Sequence, residues 1–381
     1  QLLQNPRSDA SVPEVLDRLS ALRERSPRLL EAYLTEVTHL RYLYQTTRRP
    51  ELLQRARRVA KAAREVAPAD PRPLHAEIEV ALASNDSDAA AQALDRLVAL
   101  NPSDPSVTIL RARIARQRGE LVQALELYRT LAEDRLSWSV ASQVADLELQ
   151  LGRVDEAREH LEQGLRVAPA SRFLLARLAQ LELAHGDLGR AEGLFAALVA
   201  RFESPAYLAN LGTARLLLGR YAEAATAYRD ALALAPDHPL ILLNLADAMS
   251  LEGLEVEAAD TYRQALSLVP GDSLDVEDLA TRALCLAHLG HRVEAAAAAT
   301  EALRASGDDP QTLYDAALVY ALVGDHSSAL ASAKKALSAG FRPVWFNLPW
   351  FAPLWDDPSL RELLPGVSRG AASTPSGGSG R

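Results

Sequence analysis

Seven glycines in this 381-residue chain are each followed five positions later by alanine, and the pairs return at intervals of roughly 34 residues. The pairs are Gly119/Ala124, Gly152/Ala157, Gly186/Ala191, Gly219/Ala224, Gly253/Ala258, Gly290/Ala295 and Gly324/Ala329. Asn85 takes the glycine position one period earlier, and asparagine is the next-best residue for a left-handed turn. A period of this length describes a unit too small to bury its own apolar face. Such units are stable only when stacked, so the rhythm predicts an array and not one enlarged core.

Around each turn the apolar residues recur at helical spacing, which makes every unit a pair of helices. The units fall at 71–104, 105–137, 138–171, 172–204, 205–238, 239–275, 276–309 and 310–343, with a first one at 28–70. Several close on proline after the second helix (Pro68, Pro102, Pro169, Pro236, Pro270), where the missing N–H and the ring clash stop a helix. Small residues mark two positions. Ala145, Ala179, Gly212, Ala246, Ala283 and Ala317 sit midway along first helices, and the alanines after the turns open the second helices. A bulky side chain at either would overpack the helix contact by about 1–3 kcal/mol. The flanks differ. Residues 1–12 read as linker, 13–27 as a lone helix resembling half of a hairpin, 344–367 as a closing cap, and 368–381 as disordered tail.

Charge excludes one class of partner. Residues 1–70 hold 13 Lys+Arg against 9 Asp+Glu, while the remainder holds 28 against 41. An acidic bulk does not favour nucleic acid, whose phosphates need a basic surface. The single cysteine, Cys285, excludes an internal disulfide and a multi-cysteine zinc site. No apolar run reaches the ~18–20 residues of a membrane span, so membrane association would come only through regions outside this chain. The chain opens at Gln1 and not at Met, which predicts a fragment or processed form with further domains or an anchor upstream.

The unit Leu208–Pro236, LANLGTARLLLGRYAEAATAYRDALALAP, and its successor Leu242–Pro270 resemble the tetratricopeptide repeat family. The resemblance covers about residues 28–343, though the tryptophan usual near the start of the first helix is replaced, for example by Leu208 and Leu242. It implies an all-α, right-handed superhelical solenoid of about nine hairpins, whose first helices line a concave groove for a protein or peptide partner. Family geometry then assigns to the groove Phe173, Gln180, Leu183, Asn210, Thr213 and Leu216 from the earlier units. From the later units it assigns Leu240, Leu243, Asn244, Asp247, Ser250, Leu284, Tyr314 and Leu318. Asn210 and Asn244 match an asparagine that contacts the ligand backbone in peptide-binding members; with Thr213 and Asp247 they would set the orientation of a bound peptide or helix. Ala209 and Leu243 stand where a basic clamp on a terminal carboxylate would need charge, which argues against a chaperone-tail receptor.

A narrower resemblance rests on the order of EVAPADPRPL, NLGTARLLLGRYAEA, CLAHLG, YDAALVYALVGD and WFNLPWFAPLWDDPSLRELL. It is similar to the C-terminal repeat regions of some bacterial serine/threonine protein kinases. That implies the sensory or docking part of a signalling protein, in the bacterial cytoplasm or on the periplasmic side of a membrane-anchored one. The kinase motifs themselves, a Gly-rich phosphate loop, HRD and DFG, are absent from this sequence.

Other clusters are weighed against a structural role. Trp345, Trp350 and Trp355, with Phe341, Phe346 and Phe351, form either a lid over the last repeat or an aromatic docking patch. The basic run Arg48, Arg49, Arg55, Arg57, Arg58, Lys61 and Arg64 reads as a solvated helix face or an attractor of acidic partners and anionic membranes. Arg113 and Arg116 are the candidate anion-binding pair. Cys285, His288 and His291 lack the further ligands a metal site needs, and no serine, histidine and acid arrangement is suggested by spacing. The chain therefore reads as a nonenzymatic scaffold without cofactor. The alternative is a self-associating module that pairs through the half-hairpin or the aromatic end, making a homo-oligomer.

Overall fold

The computed structural model describes residues 12–135 and 137–364; the linker expected at 1–12, apart from Val12, and the tail expected at 368–381 lie outside the described residues. The chain divides after Pro169 into two compact units. Each is a succession of helix pairs, with no strand among the described residues.

In the first unit α1 (Val12–Arg25) precedes four hairpins. These are α2 (Leu30–Thr47) with α3 (Pro50–Val66), α4 (Arg72–Ala83) with α5 (Ser87–Leu100), α6 (Val107–Gln117) with α7 (Leu121–Arg135), and α8 (Trp138–Gln150) with α9 (Val154–Val167). The second unit has five: α10 (Arg172–His185) with α11 (Leu188–Val199), α12 (Pro205–Leu217) with α13 (Tyr221–Leu234), α14 (Pro239–Glu252) with α15 (Glu255–Leu268), α16 (Val276–His288) with α17 (Arg292–Ser306), and α18 (Pro310–Val323) with α19 (His326–Ser338). Two 3-10 turns, Pro343–Asn347 and Pro349–Leu354, and the short α20 (Pro358–Arg361) follow.

The turn chemistry is the one the residue types require. Asn85, Gly119, Gly152, Gly219, Gly253, Gly290 and Gly324 all have positive φ, between 57° and 90°. Gly186 departs from this set, with φ −115°: the buried carboxylate of Glu182 fills the space a Cβ would enter and accepts the Asp187 N–H at 3.1 Å. In the first hairpin Arg48 adopts φ 55° with no glycine to help.

The small residues explain the packing. Ala124, Ala157, Ala191, Ala224, Ala295 and Ala329 are fully buried at the starts of second helices. Gly212 on α12 lies so close to the Tyr228 ring that an added Cβ would meet it at 2.7 Å. In the second unit successive first helices also touch one another, α12 with α14, α14 with α16 and α16 with α18, while second helices make no comparable contact among themselves. First helices are therefore crowded on the inner side of that stack.

The lone first helix is not bare. Leu16 and Leu19 of α1 are buried, Leu16 joins Tyr33, Val37 and Leu40 in one core, and the Arg23 guanidinium pairs with the buried Glu36 at 2.6 Å. No helix among the described residues is long and apolar enough to cross a membrane.

Candidate functional site

The residues assigned to a groove lie on first helices of the second unit, and they divide by burial. Phe173 and Gln180 are exposed on α10, with the Arg172 guanidinium 4.8 Å above the Phe173 ring. Asn210, Thr213, Leu240, Asn244 and Ser250 are half-buried, as is Leu183. Thr213 shares a hydrogen bond with the Tyr228 hydroxyl at 3.0 Å and donates to the Ala209 carbonyl at 3.1 Å, so it is engaged within the chain. Leu216, Leu243, Leu284, Tyr314 and Leu318 are buried and belong to the core.

Tyr314 among them is covered by the closing segment, whose rings belong to the same core cluster as the four leucines. Four prolines (Pro343, Pro349, Pro353, Pro358) prevent a continuous helix, and the segment folds as short turns that turn its rings inward. Phe341 stacks on Tyr314 with centroids 4.6 Å apart, and Trp345, Phe346 and Phe351 contact the same ring at 5.5, 5.4 and 5.7 Å. Trp355 donates its indole N–H to the Phe346 carbonyl at 2.8 Å. The segment also reaches beyond the last hairpin. Trp350 meets His288 of α16 edge-on at 4.9 Å, and Arg342 donates to backbone carbonyls at the end of α10: Leu183 at 2.6 Å, Glu182 at 3.4 Å, and Gly186. Trp345, Trp350 and Trp355 are all half-buried in this packing. Leu16 and Leu19 of the half-hairpin and Phe346 and Phe351 of the aromatic end are buried within the chain.

Asp247 lies beside His288, the ring that Trp350 meets. Its carboxylate accepts the Tyr262 hydroxyl at 2.7 Å and lies 3.5 Å from His288 Nε2, and His288 in turn stacks on Tyr262 at 4.5 Å. Burial pushes Asp247 up to about 7 despite the hydrogen bond from Tyr262, and pushes His288 down to about 3. Cys285, one turn before His288, is driven up to about 12 by burial and by the Asp247 charge, so it is a thiol and not a nucleophile at neutral pH. Among the described residues no group of three or more His, Cys, Asp or Glu is arranged to hold a metal ion.

The first unit carries a different inner face. Glu79 on α4 receives both Arg41 of α2, at 2.6 Å, and a bidentate fork from Arg113 of α6. Burial alone would raise the Glu79 carboxyl; the Arg113 hydrogen bond and charge, with those of Arg41, outweigh it and hold the group below its ordinary range. Arg116 donates to Gln143 Oε1 at 2.9 Å. Arg41, Glu79, Arg113 and Arg116 border a cleft of about 320 Å³ with Gln45 and Gln117. Arg113 and Arg116 are thus brought together, but Arg113 is already committed to Glu79. The sequence carried a signal for that pair: Glu79 and Arg113 stand 34 positions apart, one repeat, on neighbouring first helices. Arg342 had no such signal.

A family model described as tetratricopeptide repeat matches residues 108–270, and a second of the same description matches 75–139. Among solved structures, a tetratricopeptide repeat protein from Parabacteroides merdae is similar at 16% identity and a TM-score of 0.52, over 65% of this chain and 98% of that one. The C-terminal part of a TPR repeat-containing protein from Cytophaga hutchinsonii gives 14% identity and 0.47 over 62% and 97%, respectively. Cut9-Hcn1, an APC/C hetero-tetramer, gives 18% and 0.44 over 87% and 64%. No curated protein matches significantly. With family matches that together run from 75 to 270, a little over half of its length, and hairpins that keep the same period, the chain belongs to the tetratricopeptide repeat family.

Proposed function

We propose that this chain is a nonenzymatic docking scaffold that takes a peptide or helix of a partner protein on the first-helix face of its second unit, within the sensory or docking region of a bacterial signalling protein such as a serine/threonine kinase. Tetratricopeptide repeats are protein–protein interaction scaffolds, and the question is which surface is used. One observation carries this reading. Asn210 and Asn244 stand one period apart on successive first helices, half-buried, and neither amide has a hydrogen-bond partner in the chain among the described residues. A pair of part-desolvated amides that the fold leaves unsatisfied suits a peptide backbone, which offers a donor and an acceptor at every residue. Exposed Phe173 and Gln180 supply an apolar contact and a further amide on α10. The closing segment supports the same reading, since an irregular, aromatic piece of polypeptide already packs on neighbouring first helices. A micromolar contact, about −8 kcal/mol, suffices for regulation.

The test is a photo-crosslinker at Gln180 to capture the partner, followed by calorimetry with the captured protein. Asn210→Ala/Asn244→Ala should weaken that binding at least tenfold while leaving the thermal melt unchanged. Undiminished binding by the double variant would overturn the assignment. The signalling context is tested separately, by whether the reading frame upstream of Gln1 encodes a kinase.

A further inference from the structure

On the second-helix side of the first unit, α3 and α5 stand apart over α4 and leave a cleft of about 910 Å³. One stripe of α3 faces it: Leu53 and Gln54, Arg57 and Arg58, Lys61, and Arg64, at the i, i+3, i+4 spacing of a single helix face. The opposite wall is α5, where Ala89 and Ala93 alternate with Gln92 and Arg96; the floor is Val80 and Ala81 of α4, flanked by Glu77 and Ser84. The rim is basic, and the fold neutralises only part of it. Arg57 pairs with Asp86 at 3.0 Å, and Arg64 and Arg96 share Glu77 at 2.7 and 3.8 Å. Arg58 and Lys61 are exposed and have no acidic partner among the described residues.

We infer that this cleft is a second docking site, for an acidic amphipathic helix of a partner protein. An apolar floor between two helices takes the side chains of a helix laid along it, and an unneutralised cationic rim selects carboxylates on that helix's flanks. One observation favours an acidic protein segment over phosphate surfaces: the basic groups border a concavity with an apolar base, where a lipid bilayer or a duplex would bridge over the top. The site is separate from the first-helix face, so its fate does not depend on the reading of Asn210 and Asn244.

The experiment is fluorescence anisotropy on the full chain with a labelled helical peptide bearing leucine at i, i+3, i+4 and i+7 and glutamate elsewhere. Its lysine counterpart and a scrambled version serve as comparisons. The glutamate peptide should bind with an affinity that falls as salt is added. It should weaken at least tenfold in Arg58→Glu/Lys61→Glu and in Ala89→Trp, which fills the cleft, and be unchanged in Lys334→Glu/Lys335→Glu. Arg58 and Lys61 are exposed, so that double variant reports on binding even if Ala89→Trp does not fold. No binding, equal binding of the lysine or scrambled peptide, or insensitivity to Arg58→Glu/Lys61→Glu overturns the inference. So does equal, equally sensitive binding of phosphatidylserine vesicles or duplex DNA, which would make the rim a phosphate reader.

Discussion

Arg342, in the turn after the last hairpin, donates to the carbonyl oxygen of Leu183, 2.6 Å away and 159 positions earlier in the chain. The last carbonyls of a helix have no intrahelical partner and carry the negative end of its dipole. A guanidinium is the side chain best able to satisfy several of them at once. Arg342 thereby ties the closing segment to the first hairpin of its unit. Arg342→Ala should cost about 1.5–3 kcal/mol, the range for a hydrogen bond to a charged group. Hydrogen exchange should report it as faster exchange in 341–360, with α12 to α17 unchanged. Uniform loss of protection across the unit would mean that the tie supports the whole stack instead.

The repeats were legible because their cause is local. Glycine and asparagine mark positive φ, proline marks helix starts and stops, and α3 runs from Pro50 to Val66 where proline at its first position and the apolar period place it. Gly186 shows the limit: the residue type agrees with its equivalents, but a side chain four positions earlier, Glu182, takes over the turn. The groove was legible only as a list of positions. Whether Tyr314 faces solvent depends on where Phe341 docks, and that is settled by a tertiary contact that no local pattern encodes. Arg113 read as a candidate for an external anion because single residues were compared with the family pattern, when the informative comparison was with Glu79 one period before.

Glu36 shows the same lesson and gives a second prediction. Arg55 looked like one of a solvated basic run, yet its guanidinium bonds Glu36 at 2.7 and 3.0 Å, and Arg23 closes on the same carboxylate. The carboxylate is fully buried, while the two arginine side chains keep 24% and 34% of their exposure. Glu36→Ala should destabilise the first unit by about 3 kcal/mol, the low end for a broken buried pair because both arginines can rehydrate. Urea unfolding measures the loss, and proteolysis within α1 should accelerate, since Arg23 links α1 to α2 through Glu36.

Two glycines should respond to alanine with opposite signs. At Gly212 the new Cβ meets the Tyr228 ring at 2.7 Å, and that ring is held by its bond to Thr213 and by full burial. Overpacking of about 1–3 kcal/mol exceeds the ~1 kcal/mol that alanine gains in a helix interior, so Gly212→Ala should lower the urea midpoint. At Gly193, within α11, nothing lies within 4 Å of the added carbon. Gly193→Ala should raise the midpoint by the equivalent of about 0.5–1 kcal/mol. A loss at Gly193 equal to that at Gly212 would show that close approach to Tyr228 is not what selects glycine.

The paired titrations of Asp247 and His288 make the second unit's stability depend on pH in two opposed ways. Asp247 titrates at an ordinary 3.8 when unfolded and at about 7 when folded, so between those values the folded chain keeps a proton that the unfolded chain has released. Its contribution is full below about pH 4 and is lost as pH rises to about 7. His288 runs the other way: ordinarily 6.5, and about 3 in the fold, it stays neutral while the unfolded chain takes up a proton. Its contribution is full above about pH 6.5 and is lost as pH falls toward 3. Across about pH 4 to 6.5 the two slopes offset each other. Asp247→Asn keeps an acceptor for the Tyr262 hydroxyl and removes one falling slope, so stability should fall less with pH over that window than in the parent chain. Asp315, also pushed up to about 7 by burial, leaves part of the decline in place. His288→Gln should give the reverse, a steeper decline from about pH 4 to 7. Urea midpoints taken at intervals across this range decide it: parallel pH profiles for the parent and both variants would mean that neither group changes its protonation on folding.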